Sequence, residues 1–250
     1  MKGHVKASVE AGIMEVVFDR PQKKNAVSVS MYNAINEHLA EANDNPGVRV
    51  VVFRGSGGNF TSGNDLKDFI ENPPDGPDSP VFRFLRTLLT FPKPLLAAID
   101  GYAIGLGTTM LLHFDLAYAA QNAVFRFPFV GLGLVPEAGS SYLLPRTVGD
   151  KRANELLFFA ERFDAGRALE IGLINEIFGP DEVYPRTMER ARKLAGQPSE
   201  ALVATKRLLR APLVEKIESV MANEGVAFME RLVSEEFMNA ARSLLDKPKA

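Results

Sequence analysis

Apolar and polar positions alternate over His4–Glu10, break at Gly12 and resume over Ile13–Phe18, which predicts a hairpin. Asp19-Arg20-Pro21 closes the second strand, and a polar loop runs to Ala26. Over Ser30–Ala42 the period changes, with Met31, Ile35 and Leu39 at helical spacing. Asn45-Pro46-Gly47 reads as a turn. Val48–Phe53 is then a short, almost unbroken apolar run, as expected of a strand buried on both faces. Leu95–Ile99 predicts another. Between them Asn72–Pro80 has linker composition and is expected to be a mobile surface excursion rather than a domain boundary.

After the glycines of Gly101–Gly107 the spacing predicts a helix over Leu106–His113, then short strands over Leu116–Ala119 and Val124–Phe127. Another helix is expected to begin near Ser140. Asp164 is placed to cap a helix over Ala165–Ile171, and Ile174–Phe178 is the last predicted strand. From Glu182 onward the pattern is helical, with Ser199 and Ser234 as caps and Val220, Phe228 and Leu232 on a helix face. The order strand, strand, helix, repeated and closing in helices, implies an α/β architecture with crossovers. It fits a barrel or a doubly wound sheet poorly. The expected division is a core over residues 1–195 and a helical region over 196–250, a kind of tail that often packs on another subunit.

The 250 residues are 46% hydrophobic and 24% charged, ordinary for one large globular domain or a core with an appendage. A net charge of −2 with a pI near 6.0 gives no reason to expect nucleic acid or an anionic membrane as partner. Cysteine is absent, which removes disulfides, thiolate metal sites and thiol nucleophiles. Met1–Lys6 alternates like a strand and lacks the apolar core of a signal peptide. Leu95–Leu112 is interrupted by Asp100 and glycines, so it does not read as a membrane span. Lys247-Pro248-Lys249-Ala250 is no organelle-import tripeptide. A cytoplasmic protein is the expectation.

Gly55-Ser56-Gly57-Gly58 has the wrong spacing for a dinucleotide loop, and no glycine loop ends in Gly-Lys-Ser or Gly-Lys-Thr. His4, His38 and His113 lie far apart without carboxylates at metal-ligand spacing, and no nucleophile elbow supports a serine triad. Acid–base chemistry by a carboxylate remains. Between Asp115 and Asp150 the only acid is Glu137, inside the apolar run from Phe125 to Ser141. A carboxylate there loses solvation, which raises its pKa and lets it take and return a proton near neutral pH. The alternative is an acid in the first turn of the helix near Ser140, where it complements the helix dipole. Phe125, Phe127 and Phe129 share one side of an extended segment by period two, as an apolar wall or as plain core.

Two glycine turns offer donors to go with such a base. Phe60-Thr61-Ser62-Gly63-Asn64-Asp65-Leu66 follows the first buried strand, and Gly101-Tyr102-Ala103-Ile104-Gly105-Leu106-Gly107 follows the second. They leave the N–H groups of Asn64 and Leu106 free to face a ligand. Aimed at one point, two such donors make an oxyanion hole, each worth roughly 3–4 kcal/mol in a transition state. Either turn alone also reads as purely structural.

Together these pieces resemble the crotonase (enoyl-CoA hydratase/isomerase) superfamily over at least residues 5–210. The resemblance is carried by Arg20-Pro21…Lys24-Asn25-Ala26, the Phe60–Leu66 run, Pro94…Ala98-Ile99-Asp100-Gly101-Tyr102-Ala103-Ile104-Gly105, Asp115–Ala119 and Asp164–Asn175. It implies an α/β, crotonase-like spiral of ββα repeats with a C-terminal helical trimerisation region, in a homotrimer or dimer of trimers. The implied ligand is an acyl-CoA thioester whose carbonyl meets the N–H groups of Asn64 and Leu106. No separate cofactor is implied, because coenzyme A is part of the substrate. Lys24, Ala26, Ser62, Asp65, Leu66, Phe129 and Val130 are expected around that substrate, with Lys24 near the CoA phosphates, although Lys24 also reads as an exposed loop lysine beside Lys23.

Hydratases of the superfamily typically use two glutamates, and the matching positions here are Thr109 and Phe129. Pro136-Glu137-Ala138-Gly139-Ser140-Ser141, with Asn64 after Ser62-Gly63, instead resembles the Δ3,Δ2-enoyl-CoA isomerase branch. There the glutamate at this point is the single base. The expected reaction is a shift of the 3-enoyl double bond to the 2-position by Glu137. The rival readings are a hydratase or thioesterase working through Glu137 and an ordered water, and a non-catalytic module that binds acyl-CoA, RNA or a protein partner.

Overall fold

The computed structural model describes residues 4–245. Met1-Lys2-Gly3, the closing Lys247–Ala250 and the outer ends of the two expected regions lie outside these residues. β1 (Val5–Glu10) and β2 (Ile13–Phe18) form the expected hairpin. From β2 the chain climbs in turns of one kind: a long strand, a short extended segment beside it, then helix.

In the first turn β2 leads to extended Val27 and α1 (Val29–Asp44). Next β3 (Val50–Gly55) leads to the bridge residues Thr61 and Asn64, then α2 (Leu66–Glu71) and α3 (Pro80–Thr90). β4 (Leu95–Ile99) leads to β5 (Tyr102–Ile104) and α4 (Leu106–Thr109), which continues as a 3-10 turn over Met110–His113. β6 (Leu116–Ala120) leads to β7 (Val124–Arg126), α5 (Ser140–Val148) and α6 (Asp150–Phe159). β8 (Phe163–Asp164), α7 (Ala165–Glu170) and β9 (Glu176–Phe178) complete the core, and α8 (Val183–Ala195), α9 (Ser199–Leu232) and α10 (Glu235–Leu245) follow.

The long strands make one sheet in the order β1-β2-β3-β4-β6-β9, parallel throughout except for β1. β5, β7 and β8 make a second, smaller sheet. The apolar run of β3 follows from period two between two buried faces. Val50 and Val52 join Ile13, Leu96 and α8 residues Val183 and Ala191 on one face, while Val51 and Phe53 enter the main core on the other.

The structure departs from the sequence expectations in several places. Helices α2, α3 and α6 stand where no helix was read, and the short strands β5 and β8 where no strand was. Pro80 ends the expected loop by becoming the first residue of α3, a position where its missing N–H has no partner to lose. Ser199 is the first helical residue of α9, after Pro198, and no side chain caps that end. Ser234 does act as expected, its hydroxyl accepting from the Phe237 N–H at 3.2 Å. β7 stops at Arg126 because Pro128 has no ladder donor, so Phe129 is not on the extended segment with Phe125. Among the described residues no helix is long and apolar enough to cross a membrane.

Candidate active site

The spiral brings the two glycine turns side by side. Thr61 bridges Ala103 in parallel: the Thr61 N–H donates to the Tyr102 carbonyl at 2.8 Å, and the Ile104 N–H to the Thr61 carbonyl at 3.0 Å. Gly63 lies so close to the second turn that a Cβ there would sit 2.6 Å from the Ile104 oxygen, and its φ of +89° is glycine territory. Asn25 ties the start of the site together: it is fully buried, donating through Nδ2 to the Ser56 and Asn59 carbonyls at 2.8 and 2.6 Å and accepting the Arg20 N–H. Among the described residues neither the Asn64 nor the Leu106 N–H is given a hydrogen-bond acceptor, while the N–H groups of Gly63, Asp65 and Gly105 beside them donate. Both residues line a cavity of about 330 Å3 together with Glu137. The Asn64 side chain is fixed from behind, its Oδ1 accepting from the buried Tyr32 hydroxyl.

Glu137 is 5% exposed and lies ahead of α5, not in its first turn. Ala138 and Gly139 follow it at φ +62° and +69°, and this left-handed pair aims the carboxylate away from the helix and into the cavity. Oε1 of Glu137 has no hydrogen-bond partner among the described residues. Burial pushes the carboxyl up to about 8, a second carboxylate, Glu224, adds to the rise, and the Thr109 hydroxyl pulls weakly against it. The turn is held from both sides. Nε2 of buried His113 contacts the Ala138 carbonyl at 2.6 Å, and burial holds that imidazole down at about 4. It is therefore neutral, with its proton on Nε2. From α9, the Glu224 carboxylate accepts from the N–H groups of Gly139 at 2.6 Å and Ser141 at 2.9 Å.

The family model for enoyl-CoA hydratase/isomerase matches residues 8–249. The chain belongs to that family. Human enoyl-CoA delta isomerase 2 is 35% identical over 246 residues, which are 95% of this chain and 62% of that protein. The chain thus spans less than two thirds of that relative. Crotonyl-CoA hydratase of Syntrophomonas wolfei is 29% identical over 96% of this chain and 94% of its own length. The solved structure of Pseudomonas aeruginosa OdaA superposes with a TM-score of 0.94 at 41% identity, covering 98% of this chain and 99% of that one. The fold is the crotonase fold, with a long C-terminal helix, α9.

Within this enoyl-CoA hydratase/isomerase fold, Ala26, Ser62, Asp65, Leu66 and Phe129 also line the cavity. Asp65 is already engaged: burial pushes its carboxyl up, but the Arg20 guanidinium 2.6 Å away more than offsets this, and the net direction is down. It also caps α2. Val130 does not line the cavity; it follows Phe129 in a 3-10 turn and is 49% exposed. Of the two neighbouring lysines Lys23 lines the cavity, whereas the Lys24 ammonium lies 4.6 Å from the Tyr102 ring. Phe125 and Phe127 are core, both stacked on Phe163. Thr109 is buried with its hydroxyl against the Leu106 carbonyl. Among the described residues no cluster of His, Cys, Asp and Glu side chains is placed to hold a metal.

The sequence singled out Glu137, Asn64 and Leu106, which the structure brings to one cavity, but it did not single out Glu224. Its signal was present: an acid in register with Ile217, Met221 and Phe228, the buried stripe of α9, is an acid pointing inward.

Proposed function

We propose that this protein is a Δ3,Δ2-enoyl-CoA isomerase in which Glu137 is the only base. The observation that carries the reading is that, among the described residues, Glu137 is the one acid lining the cavity whose charge no cation offsets, since Asp65 is paired with Arg20. Against water addition by two carboxylates, the positions that match the hydratase glutamates are Thr109 and Phe129, and Glu224 does not line the cavity.

The thioester carbonyl oxygen of a 3-enoyl-CoA accepts from the Asn64 and Leu106 N–H groups. Glu137 removes a proton from C2, and the C–H electron pair moves into a dienolate whose negative charge rests on that oxygen. The protonated carboxyl then gives the same proton to C4. The C3–C4 pair takes it up, the C2–C3 double bond forms, and the carbonyl is restored. No electrons are gained or lost. One base suffices because C2 and C4 lie on one face of the allylic system. A carboxyl held near 8 suits both halves of the task, since it is basic enough to accept and acidic enough to return.

Leu66, Phe69, Phe129, Leu132, Leu134 and Phe228 supply the apolar part of the cavity for the acyl chain. Lys23 at the cavity and Lys24 beside it are the cations for the CoA phosphates. Separate incubation with a 3-enoyl-CoA and a 2-enoyl-CoA tests the reading. Conversion of the first to the 2-enoyl product is expected, with no 3-hydroxyacyl product from the second at a comparable rate; preferential hydration contradicts it.

A further inference from the structure

The turn carrying Glu137 is built to be held by something else. Ala138 and Gly139 both stand at positive φ, and the N–H groups of Gly139 and Ser141, at the open start of α5, point away from the helix's own bonding pattern. What they meet is a side chain from the far end of the chain. Glu224 is 8% exposed, and it accepts from the Gly139 N–H at 2.6 Å and from both the Ser141 N–H and the Ser141 hydroxyl. One carboxylate thus takes three donors within four residues of the base. Around it α9 is pressed against the same turn: a Cβ on Gly139 would stand 2.9 Å from Cγ2 of Ile217 and 3.4 Å from Cγ of Met221. His113 holds the other side through the Ala138 carbonyl.

We propose that Glu224 is a positioning residue for Glu137, a clamp by which the C-terminal helix sets where the base stands and how tightly it keeps its proton. This rests on reading Glu137 as the base. A neutral helix-capping side chain would fill the same two amides; a carboxylate also places negative charge next to Glu137 and disfavours its ionised form. The groups facing Glu137 are Glu224 from α9, the Thr109 hydroxyl from α4 and the Tyr32 phenol from α1, with neutral His113 touching the next residue. Among the described residues no lysine or arginine is one of the groups that shift either carboxylate. Burial pushes the Glu224 carboxyl up as well, while the Ser141 and Gly139 donors pull it down; among the described residues it is the charged side chain set to act on the base.

The test titrates Glu137 directly, by 13C NMR of protein labelled at glutamate Cδ, with the Glu137 resonance identified by its loss in Glu137→Gln. In the parent protein the midpoint is expected at about 8. In Glu224→Gln it should fall by about one unit, because the neighbouring charge is gone. Glu224→Asp keeps the charge on a shorter arm, so its midpoint should stay while kcat for a 3-enoyl-CoA drops about 10- to 100-fold, with KM within about threefold, as expected of a displaced base. An unmoved midpoint in Glu224→Gln overturns the proposal, and so does a kcat within about twofold of the parent in Glu224→Asp. If Glu224→Gln does not fold, Glu224→Asp and Ser141→Ala carry the test, and unchanged kcat in both overturns it. The midpoint needs no substrate, so a parent protein inert toward 3-enoyl-CoA counts against the proposed reaction and not against the clamp.

Discussion

At the scale of single residues the account turns on what burial does to Glu137. Its carboxyl stands at about 8 in the folded protein against an ordinary 4.5. The folded value is the higher one, so the stability this group contributes is fully present below about 4.5 and is lost as pH rises through about 8. Glu137→Gln removes that loss. The variant should melt with the parent at pH 4 and progressively above it toward pH 9, by an amount equivalent to a few kcal/mol; parallel melting curves across that range contradict the burial argument. Glu137 was legible in the sequence because no other acid occupies a long apolar stretch. Glu224 was legible only as an inward-pointing acid; that it meets this turn depends on α9 folding back on a segment far earlier in the chain. The same holds for Tyr32: nothing local announces that its hydroxyl fixes the Asn64 side chain.

At the scale of elements, the long strands were read well, the short β5 and β8 were not read, and helix ends were read less well. β2, β3 and β4 show themselves as apolar runs because both faces of the large sheet are buried, and no partner is needed to see that. α3 carries an equally clear stripe, Val81, Phe84, Leu85, Leu88 and Leu89, yet it opens on Pro80 at the end of a proline-rich loop, which masked it as more loop. The turn before α5 is the element that function depends on. Gly139 combines a φ of +69° with contact against Ile217, so Gly139→Ala is strained both by backbone and by space. We expect this variant to lose about 1–3 kcal/mol of stability and most of its turnover, measured by thermal melting and by an isomerase assay. Wild-type values in both would show that the turn tolerates displacement.

At the scale of the whole molecule, repetition explains how one chain assembles a site from distant residues. Each turn of the spiral ends its long strand at the same edge, and the short segments that follow, bridged Val27 to Asn64 and Thr61 to Ala103, stack along that edge. Two successive turns therefore deliver the two amide donors, and a later one delivers Glu137. The C-terminal helices close the cavity with Phe228, Phe237 and Leu244. The strand–strand–helix order predicted this spiral only coarsely, since periodicity does not say which turn lands beside which. The most direct measurement is the turnover of a 3-enoyl-CoA to its 2-enoyl isomer by the parent and by Glu137→Gln, with acyl-CoA binding followed in parallel. The account predicts unchanged binding, a parent rate that rises with pH toward about 8, and a loss of several orders of magnitude in the variant; a variant that keeps most of its turnover contradicts it.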